Sequence, residues 1–132
     1  MAHRSSSVSI RQLPQKLDTK GERLFFRELE GSMNVQRPAI VLECSRMREM
    51  DSTSIHFLLC CLEEAMKRNG DVRLCGVAPK ALLNLQLAEV DCLFKIFATS
   101  EEAVESFLHR IVSAPMRANA ESARQMASEP AA

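Results

Sequence analysis

Neither tryptophan nor tyrosine occurs in the 132 residues, and there are only six phenylalanines. Proteins that hold single-stranded nucleic acid do so on exposed aromatic rings. Here the phenylalanines fall in core-like patterns, so nucleic acid is not an expected partner. Charge of one sign is missing as well: 17 Lys and Arg stand against 17 Asp and Glu. Such a chain has no long-range field to draw in a polyanion or an anionic membrane. Its four glycines are too few and too scattered for a glycine-rich phosphate loop. No apolar run approaches the ~20 residues of a spanning helix, and none follows the opening Met1-Ala2-His3-Arg4. Neither direct membrane insertion nor a secretory signal is expected, and the expected location is cytoplasmic.

The five cysteines (Cys44, Cys60, Cys61, Cys75 and Cys92) form an odd set without a CxxC pair or a histidine at zinc-site spacing. They read as reduced thiols, mostly small buried hydrophobes. No metal and no cofactor are expected. What the chain does have is a hydrophobic fraction of 46%, enough for one real core.

Strand and helix periods alternate along it. Val8, Ile10 and Leu13 alternate with polar residues, as in a strand with one buried face. Thr19 with Glu22 forms a T-x-x-E capping box ahead of a helix carrying Leu24, Phe25, Leu29 and Met33. Ala39-Ile40-Val41-Leu42 is a continuous apolar run of the kind found in central strands. A second helix follows, with Ile55, Leu58, Leu59, Leu62 and Met66 on its apolar face and i, i+4 pairs Glu63–Lys67 and Glu64–Arg68 on its wet side. Asn69-Gly70 stops it. Val72 to Val77 reads as a third strand, Pro79 opens a short helix, and Leu93 to Phe97 reads as a fourth strand. Thr99 and Glu102 form a second capping box for a last helix with Val104, Phe107, Leu108 and Ile111. The expected fold is α/β, a mainly parallel four-stranded sheet packed against about four helices, with a mixed sheet left open. The domain is expected over 7–112, between a flexible 1–6 and a disordered or marginally helical tail, 113–132.

The segment Met50-Asp51-Ser52-Thr53-Ser54-Ile55 sets small polar residues where the second helix begins. Helix N-termini offer unpaired N–H groups and the positive end of a dipole, which suits an oxyanion or a phosphorylated hydroxyl. Capping alone would account for one such residue. His56 lies near Ser52 and Ser54, but nothing supplies an oxyanion hole or an orienting group, so catalysis is not expected. Arg48 and Glu49 beside the loop fit a protein-contact rim or a solvated loop.

Three stretches together resemble the STAS domain, the module of bacterial anti-sigma factor antagonists, of the cytoplasmic ends of sulfate transporters and of some lipid-transport accessory proteins. Residues 39–55 are similar to the family's apolar strand, loop and Asp-Ser-Ser/Thr-Gly helix start. Residues 70–79 are similar to its glycine-ended helix, third strand and following proline, and Leu85 to Phe97 to its "L-D-x-L-F-x-I-F" pattern. Ser54 stands where the family has Gly, Ala88-Glu89 where it has Thr-Gly, and one strand precedes the first helix where many members have a hairpin.

The resemblance implies a STAS-like fold and a non-enzymatic regulatory protein of the anti-sigma factor antagonist type. It implies Ser52 as the phosphoacceptor for a serine kinase that is itself the anti-sigma factor. Asp51, Thr53, Ser54, Arg48, Glu49 and His56 would then be partner-binding neighbours. The same resemblance admits an alternative, a STAS accessory subunit bound to the ATPase of a lipid-transport ABC transporter. The want of a membrane segment argues against a sulfate-transporter tail.

Overall fold

The computed structural model describes residues 8–108. The expectations for 1–6, Ile111 and the tail 113–132 fall outside them.

Four strands, β1 (Ser9–Gln12), β2 (Ala39–Glu43), β3 (Asp71–Cys75) and β4 (Ile96–Phe97), form one sheet in the order β1-β2-β3-β4. Every pairing is parallel, with Ile10 opposite Val41, Val41 opposite Arg73 and Cys75 opposite Phe97. The sheet left open as mixed is therefore parallel throughout. The crossovers are α1 (Thr19–Met33), α2 (Ser52–Lys67) and α3 (Pro79–Leu87), and α4 (Ser100–Leu108) follows β4. With neighbouring strands joined in sequence, right-handed crossovers set their helices on one face. Ile40, Leu42, Val72 and Leu74 point to that face and pack with Leu29, Phe57, Leu58 and Leu85. Val41 and Cys75 point to the other, under Ala103 and Phe107 of α4. That is why β2 is apolar without a break: Ile40, Val41 and Leu42 are each 0% exposed.

Several expectations shift in detail. The first helix is capped by Asp18, whose carboxylate accepts from Gly21 N–H at 2.6 Å, and not by Thr19. Aspartate is the stronger cap and already satisfies the first turn. Glu22, freed from the expected box, keeps Oε2 buried without a hydrogen-bond partner. Leu24 is exposed while Phe25, Leu29 and Met33 are buried. In α2 the buried row is Ser54, Phe57, Leu58, Cys61, Leu62 and Ala65, and Met66 is exposed. The ion pairs on its wet side are Glu64 with Lys67 and Glu64 with Arg68. The fourth strand shortens to Ile96–Phe97 because Asp91–Leu93 winds into a 3-10 turn; periodicity cannot separate the two for so short an apolar run. The third strand ends at Cys75, where Gly76 turns the chain with φ +64. Thr99 does cap α4, accepting from Glu102 N–H at 3.2 Å, and the Glu102 carboxylate answers Ala98 N–H. Ile10 is exposed, since α4 lies chiefly across β2, β3 and β4 and leaves the β1 edge open.

Two helix ends share one motif. Asn69 N–H reaches Met66 O and Gly70 N–H reaches Ala65 O; likewise Glu89 N–H reaches Gln86 O and Val90 N–H reaches Leu85 O. Both are Schellman closures with a left-handed residue after the helix, Asn69 at φ 63 and Glu89 at φ 62. Asparagine tolerates that region and glutamate does not. The departure from the family's glycine at position 89 thus carries local strain. Glu89→Gly is expected to raise the unfolding free energy by about 1 kcal/mol in urea titrations. A loss of stability instead would mean that the Glu89 side chain makes a compensating contact.

Candidate functional site

In a parallel sheet of this order the strand-to-helix loops all gather at the carboxyl ends of the strands. The loop after β2 is held there from beneath and from the side. Met47 and Met50 are buried, 1% and 3% exposed. Met50 N–H donates to Asn84 Oδ1 of α3 at 2.8 Å. The loop then delivers Asp51 as the N-cap of α2, its Oδ1 accepting from Ser54 N–H at 2.9 Å, while Asp51 O takes Ile55 N–H. Ser52 and Thr53 are the next two residues, both exposed. Their N–H groups precede the helical ladder and face outward at the positive end of the dipole.

The Ser54 N–H bond is the leading reason that the Asp51 carboxyl titrates below the ordinary carboxylate range, with Lys16 adding to it. A depressed folded-state pKa gives stability that is present above the unfolded value, about 3.9, and lost as pH falls through the folded one. Asp51 is exposed, so its worth is that of an ordinary cap. Asp51→Ala is expected to cost about 1 kcal/mol at neutral pH, and the gap from wild type should close in acid. A gap that stayed constant down to strong acid would show that the carboxylate is not the cap.

Next to this helix start lies a groove of about 800 Å³ between the loops after β1 and β2. Arg48, Glu49, Met50, Asp51, Thr53 and Ser54 form one wall, and the segment from Gln15 to Thr19 forms the other. Two helix N-termini, those of α1 and α2, open on it. Of the residues singled out from sequence, Asp51, Thr53, Arg48 and Glu49 come together here. Ser54 does too, but as a floor: it is 4% exposed, not the surface neighbour expected, because it belongs to the buried row of α2. That burial also accounts for a small residue at this position, where the family carries Gly. Ser52 and His56 do not line the groove; both are exposed on α2, Ser52 between the lining residues Asp51 and Thr53. Glu49 pairs with Lys80 of α3 at 3.3 Å. Sequence reasoning missed Lys16 and Asn84. Lys16 could have been found by noting that successive parallel crossovers bring the first βα loop beside the second.

One face-level pair also escaped notice. His56 Nε2 and Cys60 Sγ are 3.5 Å apart on α2. Burial pushes Cys44 and Cys61 up to about 12 and Cys75 to about 11, which keeps all three protonated, and burial, with Glu63, Glu22 and Glu64 adding to it, raises the Cys60 thiol in the same direction. Among the described residues no group of three or more His, Cys, Asp or Glu side chains is placed to hold a metal ion. No described helix is long and apolar enough to cross a membrane.

A family model described as "STAS domain" matches residues 1–103. No curated protein matches the chain at the level of sequence. Among solved structures, the chain is similar to an anti-sigma-factor antagonist (STAS) domain protein from Planctomyces limnophilus. That likeness has 18% identity and a TM-score of 0.68, and covers 78% of this chain and 92% of that one. A candidate anti-sigma factor antagonist from Thermotoga maritima gives 22% and 0.66, covering 77% and 92%. The STAS domain of a SulP transporter from Vibrio cholerae gives 19% and 0.64, covering 80% and 84%. At these identities the structural likenesses speak for the fold.

Proposed function

This chain belongs to the STAS-domain family, and on that premise we propose that it is a non-enzymatic regulator of the anti-sigma factor antagonist type. It binds a serine kinase that is also the anti-sigma factor, and phosphorylation of Ser52 releases it. The observation that carries the reading is the placement of Ser52: exposed, first in α2, directly after the capping Asp51 and beside an open groove. A hydroxyl there is open to a kinase, and nothing in its surroundings needs to unfold for it to be modified.

The physics of the switch follows from that position. A phosphate adds about −1.5 to −2 charges to a loop that already carries Glu49 and Asp51. Within the chain, the N–H groups of the first turn and the helix dipole offset part of that charge. A partner whose surface had closed over a neutral hydroxyl has no such compensation. The fold therefore tolerates the phosphate and the complex does not.

Affinity capture with wild type, Ser52→Ala and Ser52→Asp baits tests this. A serine kinase should be held by the first two and released at least ~100-fold more readily by the third, a difference of about 2.7 kcal/mol. Phosphate should be found on Ser52 of the wild-type bait. Equal capture of an ABC-transporter ATPase by all three, with Ser52 unmodified, would sink the switch and favour an accessory subunit. The protein acts on protein partners in either case, in the cytoplasm.

A further inference from the structure

Ser52, His56 and Cys60 are spaced i, i+4, i+8 and so form one row along the outer face of α2. At the lower end of that row His56 Nε2 stands 3.5 Å from Cys60 Sγ. A tetrahedral zinc-class ion bonds nitrogen at about 2.0–2.1 Å and thiolate sulfur at about 2.3 Å, which sets its N···S edge at about 3.5 Å. The two donors are thus at the separation a shared ion requires. His56 is exposed and Cys60 half-buried, so an ion can reach both.

A second observation comes from the neighbouring helix. Glu22 of α1 keeps Oε2 buried without a hydrogen-bond partner, and its charge acts on Cys60 together with the charges of Glu63 and Glu64. An orphaned carboxylate oxygen is costly to keep unless something positive compensates it.

We propose that His56 Nε2 and Cys60 Sγ chelate a thiophilic divalent cation of the zinc class, with Glu22 supplying nearby negative charge. Binding forms one metal–nitrogen and one metal–sulfur bond, and the Cys60 thiol proton leaves to solvent. Two ligands leave about two coordination positions open. Water fills them in the isolated chain. On the reading of Ser52 as the partner switch, the ion lies two turns along the same docking face, where a partner's side chain can take an open position. This last consequence rests on the proposed function; the site does not.

The test is a titration of the reduced full chain with Co²⁺, read by its absorption spectrum. Wild type should show a thiolate-to-cobalt charge-transfer band saturating at one ion per chain, released by Zn²⁺. Cys60→Ser and His56→Ala should each remove the band or weaken binding at least ~10-fold. Cys92→Ser, which alters the exposed thiol elsewhere, should leave it unchanged. No band in wild type, or a band of undiminished affinity in Cys60→Ser or in His56→Ala, would overturn the site. Undiminished binding by Glu22→Gln would strike Glu22 from it. The readout needs no partner, so its failure leaves the Ser52 switch standing, and failure of the switch leaves the metal site standing.

Discussion

Gly70→Ala is expected to lower the unfolding free energy by about 3 kcal/mol or more, and the melting temperature by roughly 10 °C. The backbone of Gly70 is not in the left-handed region; Asn69 takes that role. What excludes a side chain is distance. A Cβ on Gly70 would stand 2.1 Å from Pro38 O and 2.5 Å from Pro38 N and Cδ. These atoms are backbone or ring, so no rotamer change can clear the way. The turn after α2 must lift off the turn before β2, which breaks Asp71 N–H to Pro38 O at 2.9 Å and Arg37 N–H to Arg68 O at 2.9 Å. Those bonds join the starts of the two central strands. Urea denaturation of the single variant decides it, and a shift under about 1 kcal/mol would mean that the two turns do not touch as described.

The second large effect concerns Arg73, which lies 5% exposed in the middle of the sheet beneath α4. Its Nε donates to Asp71 Oδ2 at 3.0 Å, its Nη1 to Ser106 Oγ at 2.7 Å, and its guanidinium carbon sits 3.9 Å above the centroid of the Phe107 ring. Taking a charge out of water is expensive, and the partners recover the cost only while all are in place. Arg73→Ala removes the charge, the stem that fills the space and the partner of Asp71, and should cost about 3–5 kcal/mol. Arg73→Met keeps the stem against Phe107 and removes the desolvation cost, so it should cost about 1 kcal/mol or less. Arg73→Lys should fall between, since an ammonium cannot present the planar fork. If Met proves as damaging as Ala in chemical denaturation, the ionic contacts themselves are the source of stability.

How far the sequence discloses this molecule depends on the size of its residues. Ile40-Val41-Leu42 announces a central strand because large β-branched and aliphatic side chains are needed on both faces. The orientation of α2 is hidden because its contact row includes Ser54, Cys61 and Ala65. A reading weighted to large aliphatics turns the helix until Met66 points inward, whereas the small residues let α2 come close to the sheet and leave Met66 outside. Ile10 shows the converse, an apolar residue on the α4 side of β1 that α4 does not cover, while the polar Ser9 and Arg11 take the less exposed positions of that strand. Asp51 and Ser52 are legible as a helix start from local chemistry alone. Lys16 and Asn84 are not, since only the parallel order of the strands brings distant loops to one edge. The His56–Cys60 pair becomes visible once α2 is known to expose that row.

The consecutive strand order has a consequence for how the chain is made. Each strand pairs with the one before it across 31, 32 and 22 residues of sequence in turn, short separations for a parallel sheet. As the polypeptide leaves the ribosome, β2 can dock on β1 and β3 on β2, each with its helix already behind it. No strand waits for a later one to be inserted between its neighbours. The exception is the far face, where Val41, Cys75 and the Arg73 charge lie open until α4, the last described element, arrives. A nascent chain stalled before Ser100 would hold a finished layer of helices on one side and a bare sheet on the other, the interval in which it most needs a chaperone.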